Sequence, residues 1–512
     1  MAKHNPKIVV LKEGKIGLPE AADEVLKAAS IKRDHAQDSV SVMQSDYKPA
    51  ELDVMSNPTF GYFTADLTDA EVVKLQESAD VEEVVDDEVV FAFDPDVPAG
   101  GTMVRPEEDI GEDFDEALLE HDSEETRALQ EELDQSLAAP MEEPSAEDIA
   151  HATQAAPSVT EDLIAIEHAL VGMSQGFAPD VALPPGVWPS EMAPVVRGVL
   201  ETLREQNRTP EQVSDEELGT LLRGRAAPAA LAAGIDIILP NIRMIFANLA
   251  WRYSQGLHAR VAIMDTGISR HIDLRPLGGV SFVPGVASWH DDHGHGTHVS
   301  GTAAAIFNGT GIVGVAPRSS LYAVKVLNRA GSGMKSWILN GLAWCYYRRM
   351  HVVNMSLGSN YHTHDPSKYD TLYERYGRIL RSRGILIVAA AGNNYRKPVA
   401  NPARCPSYMA VSAIDYQRRF ASFSSIGPQV EICAPGVNIL STVPGNSYAM
   451  KSGTSMATPH VTGTAALRKS RFPSLSGDAI RWRIRNTALD LGTPGHDWFY
   501  GFGQVNAYRA VL

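Results

Sequence analysis

Apolar residues in the C-terminal half of the chain alternate between short, nearly continuous runs and longer stretches with helical spacing. The continuous runs predict strands that are covered on both faces, at residues 260–265, 322–327, 352–356, 385–391 and 409–414. The stretches between them predict helices at residues 296–306, 335–348, 369–383 and 454–471. This alternation predicts that residues 238–512 form an α/β domain with a mostly parallel central sheet between two helix layers.

Residues 1–93 follow another pattern. Strands are predicted at residues 8–11, 39–43, 61–67 and 89–93, and helices at residues 19–29 and 68–79. The second helix opens on a Thr-Asp-Ala-Glu capping sequence. This order predicts a small α+β, ferredoxin-like domain with an antiparallel sheet and two helices on one face. The pattern alone does not assign a role to it, because any ferredoxin-like module would share it.

Residues 94–237 separate these two parts, and much of this segment is acidic. Residues 107–148 hold eighteen Asp or Glu against one Arg, whereas the whole chain has a net charge of -18. Helices are predicted further on, at residues 159–173, 191–206 and 209–222. An acidic linker followed by packed helices, or an insert that binds an unknown partner, would both fit. The remaining chain is close to neutral, so nucleic acid is not expected as a partner.

Cysteine usage and the apolar segments bear on the compartment. Cys345, Cys405 and Cys433 are too few for a disulfide framework, so we expect buried thiols, with a bond between Cys405 and Cys433 as the alternative. The first residues lack the apolar core of a secretory signal. Polar residues interrupt the apolar segment 226–251, so no membrane span is expected. We therefore expect a cytoplasmic protein, with secretion by another route as the alternative.

Ser455 stands at the start of a predicted helix that is rich in small residues, two positions after Gly453. The glycine lets the backbone turn sharply, and the small residues let the helix pack inside a sheet-based core. A hydroxyl there is close to free backbone N–H groups at the positive end of the helix dipole, which can bind an oxyanion. Taken alone, the pattern favours a helix N-cap, because Ser is a preferred capping residue.

Two further segments supply the groups that a serine nucleophile requires. The predicted strand 260–265 ends in Asp265, and sites collect at strand ends in open α/β sheets. His295 precedes a second helix of small residues. Since a serine hydroxyl needs a base within hydrogen-bond reach, the set of Asp265, His295 and Ser455 predicts nucleophilic catalysis.

The imidazoles and carboxylates around His295 raise the alternative of a zinc site, which would draw on His290, Asp291, Asp292, His293, His295 and His298. The block lacks the helical His-Glu-x-x-His spacing, and no distant ligand is evident. We therefore do not expect zinc, and His298 is expected to be a buried structural residue.

Six motifs, in this order along the chain, resemble those of the subtilisin-like serine proteases, the subtilase family. They are Asp265-Thr-Gly267, His295-Gly-Thr-His298, Asn354-Met-Ser356-Leu-Gly358, Ala389-Ala-Ala-Gly392-Asn393, the segment from Phe423 through Ala434-Pro-Gly436, and Gly453-Thr-Ser455-Met-Ala-Thr-Pro-His460. The chain order Asp, His, Ser is that of subtilisin. The resemblance covers residues 238–512 and implies a three-layer subtilisin-like domain.

The resemblance implies hydrolysis of peptide bonds through an acyl-enzyme. Ser455 would be the nucleophile, His295 the base, and Asp265 the acid that orients the imidazole. His295 is preferred to His298 because the family's base is the first His of its His-Gly-Thr-His block. Asn393 matches the amide of the family's oxyanion hole, although an Asn that caps a glycine-rich turn would look the same.

The resemblance also implies how substrate and inhibitor bind. A substrate would add a strand between two backbone segments of the cleft. The expected substrate-binding residues are Gly331, Ser332, Gly333, Ser356, Leu357, Gly358, Ala390 and Gly392. Residues 61–75 and 81–93 resemble the family's inhibitory propeptide, whose end lies in the cleft like a bound product. The expected plug is Val90, Phe91, Ala92 and Phe93, with Phe93 in a large apolar pocket that ends near Ala400.

A structural calcium ion is a further implication of the resemblance. The expected ligands are the Asp273 carboxylate and oxygens of Ile306, Asn308, Thr310 and Ile312. The family's glutamine ligand near the start of the catalytic domain is not evident around Ile238. The alternative is a glycine-rich turn without an ion.

Together these expectations predict a self-inhibited endopeptidase that acts on polypeptides. Residues 1–93 would be its intramolecular inhibitor, residues 94–237 an acidic linker with a helical insert, and residues 238–512 the catalytic domain. The long connection would let the inhibitor stay bound before any self-cleavage. A permanently blocked protease-like scaffold, whose acidic insert binds a partner protein, is the alternative function.

Overall fold

The structure is a computed structural model that describes residues 5–12, 21–29, 36–37, 62–93, 236–359 and 368–512. The predicted strand at 39–43, the acidic segment 107–148 and the three helices predicted at 159–222 lie outside the described residues. Within the described ranges, no helix combines the length and the apolar character that crossing a bilayer requires.

The N-terminal residues form a four-stranded antiparallel sheet in the order β2-β3-β1-β4. Its elements are β1 (Asn5–Leu11), α1 (Ala21–Ala28), β2 (Ala36–Gln37), β3 (Tyr62–Leu67), α2 (Asp69–Gln76) and β4 (Val81–Asp86). Thr68 caps α2 as the sequence predicts, through a reciprocal capping box with Glu71. The hydrophobic pattern missed β4, in which the apolar residues do not alternate regularly with the acidic ones.

Strand β1 buries both of its faces because successive side chains point to opposite sides of a sheet. Val9 and Leu11 pack with α1, α2 and β4 in a small core of their own. Ile8 and Val10 face the other way and join a core cluster of the C-terminal domain. The N-terminal sheet is therefore packed between its own helices and the rest of the molecule.

A separate strand, β5 (Val89–Ala92), leaves the N-terminal sheet. It pairs antiparallel with β9 (Ser332–Met334) on one side and with β11 (Leu357–Gly358) on the other. The last predicted strand of the N-terminal part therefore belongs to a sheet formed mainly by the C-terminal domain. The connection between β4 and β5 is only two residues long.

The C-terminal domain is built on seven parallel strands in the order β14-β13-β12-β10-β6-β8-β7. They are β6 (Arg260–Asp265), β7 (Pro276–Ser281), β8 (Ser320–Lys325), β10 (Val352–Met355), β12 (Leu386–Ala390), β13 (Met409–Ile414) and β14 (Val430–Pro435). The sequence pattern missed the two edge strands. Both contain proline, and β7 also contains two glycines, which is typical of sheet edges.

Helices cover both faces of this sheet. They are α3 (Pro240–Met244), α4 (Ala247–Ala250), α5 (His295–Ala304), α6 (Lys335–Tyr347), α7 (Thr371–Ser382), α8 (Thr454–Arg471), α9 (Gly477–Asn486) and α10 (Ala507–Val511). In β6, Val261 and Ile263 join one core cluster with α5, α8 and α9, whereas Ala262 and Met264 join the other with α6 and α7. This confirms the predicted three-layer α/β domain. A hairpin of β15 (Ile439–Val443) and β16 (Ser447–Lys451) precedes α8.

Candidate active site

Asp265 and His295 meet where the carboxyl end of β6 faces the first residue of α5. The Nδ1 atom of His295 lies 2.8 and 2.9 Å from the two carboxylate oxygens of Asp265. The backbone N–H of Thr266 donates to the same carboxylate at 2.7 Å. Gly294 precedes the helix with a φ of 105°, a conformation that favours glycine. Both side chains are fully buried, so the carboxylate can orient the imidazole without competition from water.

Ser455 lies in the first turn of α8, and it does not cap the helix. Gly453 stands at the N-cap position with a φ of 152°. The Ser455 hydroxyl donates to the backbone oxygen of Ser356 at 3.0 Å, and the Ser356 hydroxyl donates to the backbone oxygen of Ser455 at 2.9 Å. Helix α8 packs against α5, the helix that begins at His295. The predicted nucleophile is thus tied to the end of β10 by two reciprocal hydrogen bonds.

The Asn393 side chain binds an oxygen that comes from the N-terminal part of the chain. Its Nδ2 donates to the backbone oxygen of Phe93 at 2.9 Å. Its Oδ1 accepts hydrogen bonds from the N–H and the hydroxyl of Thr454, both at 2.9 Å, which orients the amide. A Cβ at Gly453 would lie 2.9 Å from the same Phe93 oxygen. The Phe93 carbonyl is therefore held between an amide donor and the start of α8.

Residues 89–93 occupy a cleft between two segments that were predicted from the sequence to bind substrate, residues 331–333 and residues 356–358. Val90 is paired with Gly333, and Ala92 is paired with Leu357. The N–H of Ala92 also donates to the backbone oxygen of Gly331 at 2.8 Å. Val90 and Ala92 are buried, whereas Val89 is 48% exposed. Backbone pairing on both sides is the geometry of strand addition.

The ring of Phe93 fills an apolar pocket. It is 6% exposed and packs with Ala390 and Ala400. A Cβ at Gly358 would overlap the ring, and Gly392 has a φ of 114° in the adjacent wall. The small residues on the walls therefore leave room for a large planar side chain.

The N-terminal sheet contacts the start of α6 through polar groups. Asp87 accepts hydrogen bonds from the N–H of Ser336 at 2.9 Å and from its hydroxyl at 2.7 Å. The Tyr62 hydroxyl contacts the backbone oxygen of Ser336 and the Oδ1 of Asn340. Buried Lys335 is 3.4 Å from a Glu88 oxygen, and burial of Glu88 raises the pKa of that carboxyl. Sequence reasoning missed these contacts, because nothing local relates residues 62–88 to α6.

The loop predicted to bind calcium is filled by hydrogen bonds within the protein. The Asp273 carboxylate accepts from the Asn308 side-chain amide at 3.2 Å, the Ile312 N–H at 2.9 Å and the Tyr448 hydroxyl at 2.7 Å. The Asp236 carboxylate accepts from the backbone N–H groups of Asn308, Gly309 and Thr310.

Calcium takes six to eight oxygen ligands, and the groups that contact the Asp273 carboxylate here are N–H and O–H donors. As arranged, Asn308 points its Nδ2 and not its Oδ1 at Asp273, so these two side chains are not placed as the paired calcium ligands that the resemblance implies. In the part of the chain that the structure describes, no three His, Cys, Asp or Glu side chains are grouped as metal ligands. The three cysteines are buried free thiols.

His298 lies inside the protein, on the turn of α5 that follows His295. Its Nε2 is 3.0 Å from the backbone oxygens of Ile439 and Ala449. Burial lowers the pKa of His298 to about 3, with Lys451 adding to the effect. The ring is therefore neutral and joins α5 to the β15–β16 hairpin.

Comparisons with known proteins show the family of the C-terminal domain. The model of the subtilase family matches residues 256–503. The thermostable alkaline protease of Halalkalibacterium halodurans is 50% identical over 269 residues, which cover 52% of this chain and 72% of that protein. Subtilisin Savinase of Lederbergia lenta is 51% identical over 256 residues, which cover 50% of this chain and 91% of that protein. Alkaline elastase YaB of Bacillus sp. (strain YaB) is 48% identical over 256 residues, 65% of its length.

Proposed function

The chain belongs to the subtilase family and is a subtilisin-like serine endopeptidase, and from this premise we propose that it is made as a precursor inhibited by its own N-terminal residues. We assign residues 1–93 to the inhibitor, 94–237 to the linker and insert, and 238–512 to the catalytic domain. Polypeptides are its substrates.

In the proposed mechanism, the Ser455 hydroxyl attacks the carbonyl carbon of the scissile bond. The hydroxyl turns from the Ser356 backbone oxygen towards the Nε2 of His295 and transfers its proton there. Asp265 holds the Nδ1 side of the ring and stabilises the imidazolium that forms. His295 then protonates the leaving amine, and water hydrolyses the acyl-enzyme by the same route in reverse.

Asn393 stabilises the negative charge that develops on the carbonyl oxygen. Its amide is already oriented by Thr454, so no reorganisation is needed when the charge forms. The N–H of Ser455, at the positive end of the 18-residue helix α8, is the second donor of the proposal.

A single observation carries the inhibitor proposal: Asn393 donates its hydrogen bond to the carbonyl of Phe93. The carbonyl, the Phe93 ring and strand β5 occupy the places that a substrate's carbonyl, its side chain and its backbone would take. A substrate cannot enter while these residues remain. The pocket also favours substrates with a large apolar residue before the scissile bond.

Calcium takes no part in the proposed mechanism. The catalytic groups lie on β6, α5 and α8 and after β12, outside the loop of residues 306–312. The hydrogen bonds of Asp273 and Asp236 hold that loop instead.

The test compares the full chain with a Ser455→Ala variant by mass spectrometry during incubation. We expect the wild type to cut its own chain after Phe93 and then to be labelled at Ser455 by a serine-directed phosphonate. The variant should remain intact and unlabelled. A folded wild type that is neither cut nor labelled, even after residues 1–93 are removed by an added protease, would contradict the proposal and favour a blocked scaffold.

A further inference from the structure

A second buried carboxylate, Asp291, lies between the strand end that carries Asp265 and the helix that begins at His295. Asp291 is 7% exposed, and its two oxygens accept five hydrogen bonds of 2.6 to 2.9 Å. The donors are the N–H groups of His293, Gly294 and Thr297 and the hydroxyls of Thr266 and Thr297. Neither the motif pattern nor the proposed mechanism assigns it a role.

Thr266 links Asp291 to both members of the Asp265–His295 pair. Its hydroxyl donates to Asp291 at 2.8 Å and accepts from the N–H of Gly296, the residue after His295, at 2.9 Å. Its own N–H donates to Asp265 at 2.7 Å. One side chain thus spans the end of β6 and the first turn of α5.

Asp291 also caps the N-terminus of α5, although it is not the N-cap residue. The N-cap residue is Gly294, which has no side chain, and the Asp291 carboxylate receives the N–H of Thr297 instead. Burial would raise the pKa of Asp291, but the hydrogen bonds from Gly294, Thr297 and His293 outweigh it and hold that pKa below its ordinary value. The carboxylate is therefore ionised at neutral pH.

We propose that Asp291, acting through Thr266, is a positioning residue that aligns Asp265 with His295 and adds a fixed negative charge that favours the protonated ring. This inference rests on the proposed function, because it concerns the same acid and base. The charge acts without contact, because the attraction between opposite charges extends over several ångströms in a buried, weakly screened site.

Other charged and titratable groups lie on the elements next to His295. They are Asp265 on β6, Asp292 and His293 in the preceding loop, Lys325 on β8, His298 on α5 and Lys451 on β16. The Lys325 ammonium pairs with Asp292 at 2.6 Å, so these two opposite charges largely offset each other. His298 is neutral. Beside Asp265, Asp291 is the buried carboxylate of this group.

The first experiment measures kcat/KM against pH for the activated protein, cut after Phe93, and for the same form of the Asp291→Asn variant. The substrate is a chromogenic peptide with Phe before the scissile bond, and the active sites are counted by phosphonate labelling. We expect the acidic limb, which reports the base of the free enzyme, to move down by roughly 0.5 to 1 pH unit. We expect kcat to fall about tenfold or more, with KM within twofold, because misalignment affects the transition state.

Three variants separate charge from alignment. Asp292→Asn removes the same charge from the neighbouring, 44% exposed side chain, and we expect the limb to move by less than about 0.3 unit because solvent screens it. Thr266→Val keeps the Asp291 charge but removes the link, so kcat should fall about tenfold without a shift of the limb. Thr266→Ser should restore kcat, because it restores the hydroxyl.

A purely structural role would lower the melting temperature of Asp291→Asn and leave the limb where it is in the wild type. That result, or an Asp292→Asn shift as large as that of Asp291→Asn, would overturn the inference. Failure of the proposed function looks different. In that case the wild type itself would show no hydrolysis beyond that of Ser455→Ala.

Discussion

The cleft that holds residues 89–93 and the loop of residues 306–312, which Asp273 contacts, were both identified from glycine-rich motifs of the same family, yet their polar groups are satisfied in different ways. In the cleft, the Asn393 amide binds an oxygen that arrives from 300 residues away in sequence. In the loop, the Asp273 carboxylate is satisfied by neighbours that belong to the same domain. A side-chain donor such as the Asn393 amide, whose acceptor comes from a separate segment of the chain, can bind a ligand. Hydrogen bonds within one domain, such as those of Asp273, stabilise a turn.

Removing the Asn393 side-chain amide should have the largest effect, and this effect should be on kcat. We expect Asn393→Ala to lower kcat by about 10² to 10³, because the oxyanion loses a preorganised hydrogen bond. KM should stay within a few-fold, since the bond strengthens only as charge develops. Steady-state kinetics of the activated protein measure both constants. Asn394→Ala, at the adjacent position, is the matched control, and an equal loss in both variants would contradict the assignment.

Emptying the pocket should have the next largest effect. We expect Phe93→Ala to speed phosphonate labelling of the full chain by roughly 30- to 100-fold, because burial of a Phe side chain contributes about 2 to 3 kcal/mol. Labelling is followed over time by mass spectrometry. Val89→Ala, at the 48% exposed position of the same strand, should label at nearly the wild-type rate.

Acid should weaken the cleft's supporting structure through His298. The folded pKa of about 3 lies below the unfolded value of 6.5, so the unfolded state binds the proton more readily. The stability that the neutral ring contributes is present above pH 6.5 and is lost as pH falls towards 3. At pH 5 this amounts to about 2 kcal/mol of unfolding free energy.

Denaturant unfolding at pH 7 and pH 5 measures this loss. A His298→Gln variant, which keeps a side-chain N–H donor without the titration, should show a loss about 2 kcal/mol smaller. Equal losses in the two proteins would show that His298 is not responsible.

Chelation of metal ions should have the smallest effect, which is measured on the melting temperature. It tests directly whether hydrogen bonds hold the loop of residues 306–312. We expect excess EDTA to change the melting temperature by less than about 2 °C, because hydrogen bonds to Asp273 and Asp236 hold the loop of residues 306–312 in this arrangement. Asp236→Ala should lower the melting temperature by more, since three backbone N–H groups lose their acceptor. A large fall with EDTA, reversed by added calcium, would show that Asn308 turns its oxygen to an ion.

Much of the fold and the site could be read from local pattern. Buried parallel strands such as β6 and β13 are continuous apolar runs, and their bounds were predicted to the residue. Ser455, His295 and Asp265 could be singled out because each stands at a predicted helix start or strand end, and Asn393 because its motif resembles one of the family's. The edge strands β7 and β14 were missed, because proline and glycine weaken the pattern where pairing on one side suffices.

The tertiary structure alone decided which distant groups share a hydrogen bond. Three hydrogen bonds depend on where β6, β10, α5 and α8 end in space. They join Ser356 with Ser455, Thr454 with Asn393, and Asp291 with Thr266. The sequence determined the elements and their chemistry, since hydrophobic periodicity and backbone preference act over a few residues. Donors and acceptors find their partners only once the sheet is assembled, because desolvation makes an unpaired buried group costly and selects the arrangement that pairs them.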